Sequence, residues 1–62
     1  MSEEIPPLSD GDLVEIVWDG GNGPYTYVVR VEHGVPVAYT TGPLPMRVSP
    51  ISKIWVRSAI KR

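Results

Sequence analysis

The sequence predicts a small all-β domain: five short antiparallel strands closed into a barrel, with one short helical turn before the last strand. Three observations predict it. The chain is valine-rich and leucine-poor, and 42% of its residues are hydrophobic. Branched side chains suit a pleated surface better than a helix. Apolar residues alternate at period two through residues 12–19 and 25–32, the spacing of half-buried strands. Clusters of Gly and Pro divide these runs into strand-sized lengths.

Residues 1–9, with two adjacent prolines, read as a flexible lead-in. Asp10-Gly11 marks a turn, and the first strand follows over residues 12–19. Val14, Ile16 and Trp18 form its apolar face and Leu13, Glu15 and Val17 the other. Residues 20–24, GGNGP, form a loop. No helix and no Lys-Ser/Thr pair follows those glycines, so the context of a phosphate-binding loop is missing. Residues 25–32 make the second strand, with Tyr25, Tyr27, Val29 and Val31 on one face. His33-Gly34 is a tight turn. Residues 35–41 make the third strand, with Val35, Val37 and Tyr39 sharing a face.

After the break at residues 42–45, Met46 to Val48 fits a short fourth strand. Ser49 and Pro50 suit the cap and first position of a single helical turn over residues 49–53. Residues 54–57 are the last strand, and residues 58–62 a basic tail. An amphipathic helix over residues 49–62 is the competing reading. It would align Lys53, Arg57 and Lys61 in one stripe, but the Ile-Trp-Val run opposes it. The expected core is Val14, Ile16, Val29, Val31, Val37, Val48 and Ile54.

At 62 residues the chain is one domain. Folding at this size buries only about 60% of the chain's surface. With no Cys there is no disulfide and no thiolate metal site, and one His does not make a zinc site. No metal or cofactor is expected. No apolar run approaches the roughly 18 residues of a membrane span. The acidic start, Met1-Ser2-Glu3-Glu4, is unlike a secretory signal, so a cytoplasmic protein is the expectation.

Net charge is −1, unevenly placed. Residues 1–46 hold seven acids and the single base Arg30, a balance of −6. Residues 47–62 hold Arg47, Lys53, Arg57, Lys61 and Arg62 without an acid, a balance of +5. Either the two halves neutralise each other in the fold or they mark a charged partner.

The order strand, loop, long hairpin, short strand, helical turn, short strand is similar to that of SH3-like barrels. More closely, residues 10–57 resemble a Tudor-type barrel. The carriers are Gly11 to Trp18, Gly23 to Val29, Val37 to Gly42 and Val48 to Ile54. In Tudor domains that read methylated Lys or Arg, aromatics at the strand ends form a cage. The resemblance implies Trp18, Tyr25 and Tyr39 as its counterparts, with cation–π contacts of about 0.5–2 kcal/mol each. The chain departs from the pattern at Pro43, where the family often has another aromatic, and the acid that would pair the cation is not identifiable.

No catalytic set is visible. His33 lacks a Ser or Asp at a useful spacing, and Asp10, Asp12, Glu15 and Asp19 lack the spacing of a calcium loop. A monomer of this size also leaves little room for a pocket of roughly 300 Å³. The expected function is a small non-catalytic interaction module that binds a protein partner or its own copy through edges and loops. Leu13, Val17, Val28 and Trp55 are the apolar side chains left once one core face is filled. The alternative is nucleic-acid binding by Lys53, Trp55 and Arg57 on one strand face, extended by Lys61 and Arg62. The sequence pI of about 5.6 opposes it. A second alternative is an oligomeric barrel with a site for a small molecule or a methylated residue.

Overall fold

A computed structural model describes residues 5–62. They form β1 (Leu13–Trp18), β2 (Tyr25–Glu32), β3 (Val35–Tyr39), β4 (Arg47–Pro50) and β5 (Val56–Lys61) in one antiparallel sheet of order β4-β3-β2-β1-β5. No described residue is helical, which excludes the helical reading of residues 49–62. β4 and β5 are the two edges, and no Cα of one comes within 8 Å of the other.

The β2–β3 hairpin closes as expected. Glu32 pairs with Val35, and His33 and Gly34 between them both have positive φ, 53° and 78°. Two such residues match the right-handed twist of the strands they join. Pro36 sits inside β3, a central strand. Its carbonyl accepts from Ile51, just past the end of β4. Its missing N–H faces the same way, past the end of β4, so the β2–β3 ladder loses no bond.

The core is one cluster of Val14, Ile16, Val29, Ala38, Ile51, Val56 and Ala59. Ile16 pairs across the ladder with Ala59, and Val29 with Ala38. Each of these two large side chains thus faces a small one on one side, which leaves room for the sheet to curl over itself. Ile5, Leu8, Trp18 and Tyr27 pack against the cluster from its margins. The lead-in is therefore docked from Ile5 onward, and only residues 1–4 of it lie outside the described residues. Its end is also tied by hydrogen bonds. Gly11 N donates to Val29 O, Val29 N to Asp12 O, and Val31 N to Asp10 Oδ1.

Of the expected core, Val14, Ile16, Val29 and Val37 are buried. Val31, Val48 and Ile54 are exposed, Ile54 at 71%. Val31 lies beyond the reach of β1, whose pairing with β2 ends at Leu13 and Val28. Ile54 lies in the turn before β5, and both edge ladders carry an irregularity. β1 pairs Val17 with Ser58 but Trp18 with Val56, so Arg57 has no opposite number and forms a bulge. Val56 and Ala59, three apart, consequently both face the core. Val48 is likewise skipped between Ser49, opposite Ala38, and Arg47, opposite Tyr39.

The last strand also starts later than expected. Ser49 and Pro50 belong to β4, and residues 53–55 form a turn. Ser52 organises that turn: its carbonyl accepts from Trp55 N and Val56 N, and its hydroxyl from Ile54 N. Residues 58–61 are the body of β5 rather than a tail.

Val37 is buried but stands outside the main cluster. It faces outward, between Arg30 on β2 and Pro50 on β4. The Tyr39 hydroxyl donates to Glu32, so its ring runs along the outer face of β3 past Val37. Arg30 lies 5.8 Å over that ring. These neighbours give the outer face a small apolar centre of its own.

Two substitutions test this account. Val56→Ala removes two methyl groups from the core and is expected to cost about 2 kcal/mol in urea unfolding. Ile54→Ala, in the exposed turn, stays within about 0.5 kcal/mol. Equal losses at both positions would contradict the bulged register. Gly23→Ala would place a Cβ 2.6 Å from the Ile16 carbonyl at φ +118°. It is expected to lower stability by more than about 1 kcal/mol, whereas Gly42→Ala, with open space around it, is expected to be neutral in the same assay.

Candidate functional site

The seam where the sheet does not close is an open groove of about 470 Å³. Trp18 and Asp19 at the end of β1 line it, with Arg47, Val48, Ser49 and Pro50 of β4 and Trp55 of the turn. It is larger than the chain length suggested, because it lies between the sheet edges rather than within the core.

Backbone bonds fix the walls. Asp19 N donates to Trp55 O, which ties the end of β1 to the turn before β5. Trp18 N donates to Asn22 O, closing the loop behind it. Trp18 is held further by its side chain: the indole N–H donates to the Tyr27 hydroxyl at 2.9 Å. The two rings meet edge to face, 5.6 Å between centroids at 74°. With its one donor already used, Trp18 offers the groove an apolar ring. Trp55 is 57% exposed. Asp19 makes no ion pair among the described residues.

The sequence-predicted residues divide among separate places. Leu13, Val17 and Val28 lie on the outer face, where Leu13 and Val28 are direct cross-strand partners. Trp55 is apart from them, in the groove. Among the residues implied by the Tudor resemblance, Trp18 faces inward and Tyr25 lies half exposed at the inner end of β2, while Tyr39 is on the outer face paired with Val28. The three do not converge, because Trp18 and Tyr39 leave opposite sides of the sheet. The groove is lined by Trp18 and Trp55 instead. Sequence reasoning missed Asp19, Val48 and Pro50 as groove residues and Ile60 as an outer-face residue. Ile60 could not be placed while residues 58–62 read as a tail.

The basic segment is also rearranged. Lys61 pairs with Asp12 at 3.4 Å, and Arg62 pairs with Glu15. Arg47 pairs with Glu32 at 3.2 Å, and Arg30 reaches Asp10 at 3.6 Å. Most of the charge asymmetry is thereby neutralised inside the fold. Lys53 and Arg57 make no ion pair among the described residues. Lys53 and Trp55 belong to the turn and Arg57 to the bulge, so the three do not project from one strand face. No cluster of three or more metal-ligating side chains occurs among the described residues. Nor is any helix there long and apolar enough to cross a membrane.

Hydrogen bonds shift three titrations. The Tyr39 hydroxyl, then Arg47, holds the Glu32 carboxyl below its usual range. Glu32 in turn raises the Tyr39 phenol above its usual value. The backbone N–H of Ser9, with help from Lys61, lowers Asp12. The signs follow from linkage. Glu32 and Asp12 stabilise the fold above the ordinary carboxylate range, and that contribution disappears as pH falls through their lowered values. Tyr39 stabilises it below the ordinary phenol range, and that contribution disappears as pH rises through its raised value.

In Tyr39→Phe the Glu32 carboxyl should titrate closer to its ordinary value, measured by carboxyl NMR shifts against pH. The Asp12 titration should not move. A Glu32 titration unchanged by the substitution would show that the hydroxyl does not hold it.

No family model, no curated protein and no solved structure matches this chain.

Proposed function

We propose that this chain is a small non-catalytic interaction module that takes up an extended segment of a protein partner in the seam between β4 and the β1–β5 end. The observation that carries it is that two tryptophans line one open groove, one of them more than half exposed. A large aromatic surface left in water costs free energy, and buried Trp anchors dominate many protein interfaces. Val48 and Pro50 extend the apolar wall, and Asp19 supplies one acceptor charge to orient what binds. The strand order, with β5 beside β1, supports an SH3-like barrel whose last side stays open at this seam. A cytoplasmic setting goes with this reading.

Nucleic-acid binding is the competing reading, favoured only by the unpaired Lys53 and Arg57 beside Trp55. Its proposed track is shortened, since Lys61 and Arg62 are engaged by acids of the same chain.

Selection of short peptides from a random library against the folded chain tests the proposal. Binders should shift the indole N–H resonances of Trp18 and Trp55, and Trp55→Ala should weaken them at least about tenfold, as hot-spot truncations do. Failure to select any binder, or binders that leave both indoles unmoved, would overturn it. Salt-dependent binding of single-stranded RNA, lost when Lys53 and Arg57 become Glu, would favour the competing reading.

A further inference from the structure

The outer face of β5, β1 and β2 lies apart from the groove and has no role in the reading above. Leu13 and Val28 are opposite each other, Val17 is opposite Ser58, and Ile60 is opposite Glu15. Period-two geometry puts all four apolar side chains on this one face, around Glu15. Leu13 is 46% exposed and Ile60 61%. We propose that a second copy of this chain packs here, sheet against sheet, about 10 Å apart.

Charge selects that occupant. Glu15 and Arg62 stand between these apolar residues and bond each other, and Arg30, next beyond Val28 on the same face, is paired with Asp10. The face therefore carries no net charge that would attract a polyanion or a strongly charged protein. It is complementary to itself, having one acid, one base and an apolar surround. A two-fold axis through it sets apolar on apolar and each Arg62 beside the other copy's Glu15, so neither charge is left unpaired as water leaves.

Size sets the strength. Three strands about 4.8 Å apart, each contributing about five residues, give a footprint of roughly 15 by 17 Å. That falls below the roughly 800 Å² per partner of a standard stable interface. The dimer is therefore reversible and dependent on concentration. This inference extends the interaction reading to a second surface, and it fails separately from the groove.

Sedimentation of the full chain from about 10 μM to about 1 mM, the range of weak complexes, tests it. The apparent mass should rise from 6.8 kDa toward twice that value. Ile60→Glu, at an exposed position, should keep the circular dichroism of the parent and hold the mass at the monomer. Leu13→Asp is the second variant should the first fail to fold. Trp55→Ala should dimerise as the parent does, even if it loses peptide binding. A monomer at every concentration would overturn the proposal. So would a dimer indifferent to both charged variants, or concentration-dependent NMR shifts gathered at Trp18 and Trp55 rather than at Leu13, Val17, Val28 and Ile60.

Discussion

The structure depends on how Ile16 and Val29 are matched. Each occupies the middle of its strand and each meets an alanine across the ladder, Ala59 and Ala38. A chain without cysteine has no disulfide to supplement its core. A single sheet must then cover its own apolar face, and the small Ala59 and Ala38 leave room for it to curl. Ile51 and Val56 fill the interior from the segment that joins the two edges. The groove is the remainder of that arrangement: the curl brings β4 toward the β1–β5 end but leaves their backbones unpaired.

Electrostatics follows the same topology. Antiparallel pairing of β5 with β1 brings the basic end of the chain onto the acidic first strand. Lys61 meets Asp12 and Arg62 meets Glu15 there. Exposed pairs of this kind contribute little individually, about 0–1 kcal/mol. Their larger effect is on the outside of the molecule, where they cancel a field that would otherwise be split between two poles. Among the described residues Asp19, Lys53 and Arg57 make no ion pair, and all three lie near the seam or the bulge beside it.

Much of the fold was legible in the sequence. Alternation placed β1 and β2 on the right faces, and His33-Gly34 marked the hairpin. Those strands are regular, so period two applies to them. It fails in β4 and β5 because Val48 and Arg57 are bulged, and a bulge leaves no mark in local composition. Val56 and Ala59 sit three apart, a spacing that no regular strand would bury. Ala38 and Ala59 were overlooked because small residues give a weak hydrophobic signal, although smallness is their role. For the groove, Trp18 and Trp55 were each singled out, but for different partners. They are 37 residues apart in the chain, and the pairing of Trp18 with Val56 and the Asp19–Trp55 backbone bond bring them together. Tyr39, expected in a cage, serves instead as the cover of Val37.

The bulge at Arg57 also bears on how the chain can change length. The ladder on each side of it is complete: Ser58 opposite Val17, Val56 opposite Trp18. Taking Arg57 out would leave every one of those pairs as it is and turn β5 into an ordinary strand. Taking out Ser58 has the same effect, with Arg57 moving opposite Val17, whereas taking out Ala59 or Ile60 would put Ser58 on the inward side in place of Ala59. In genetic terms, β5 has two adjacent codons, those of Arg57 and Ser58, either of which the fold can lose, followed by codons whose loss it cannot absorb.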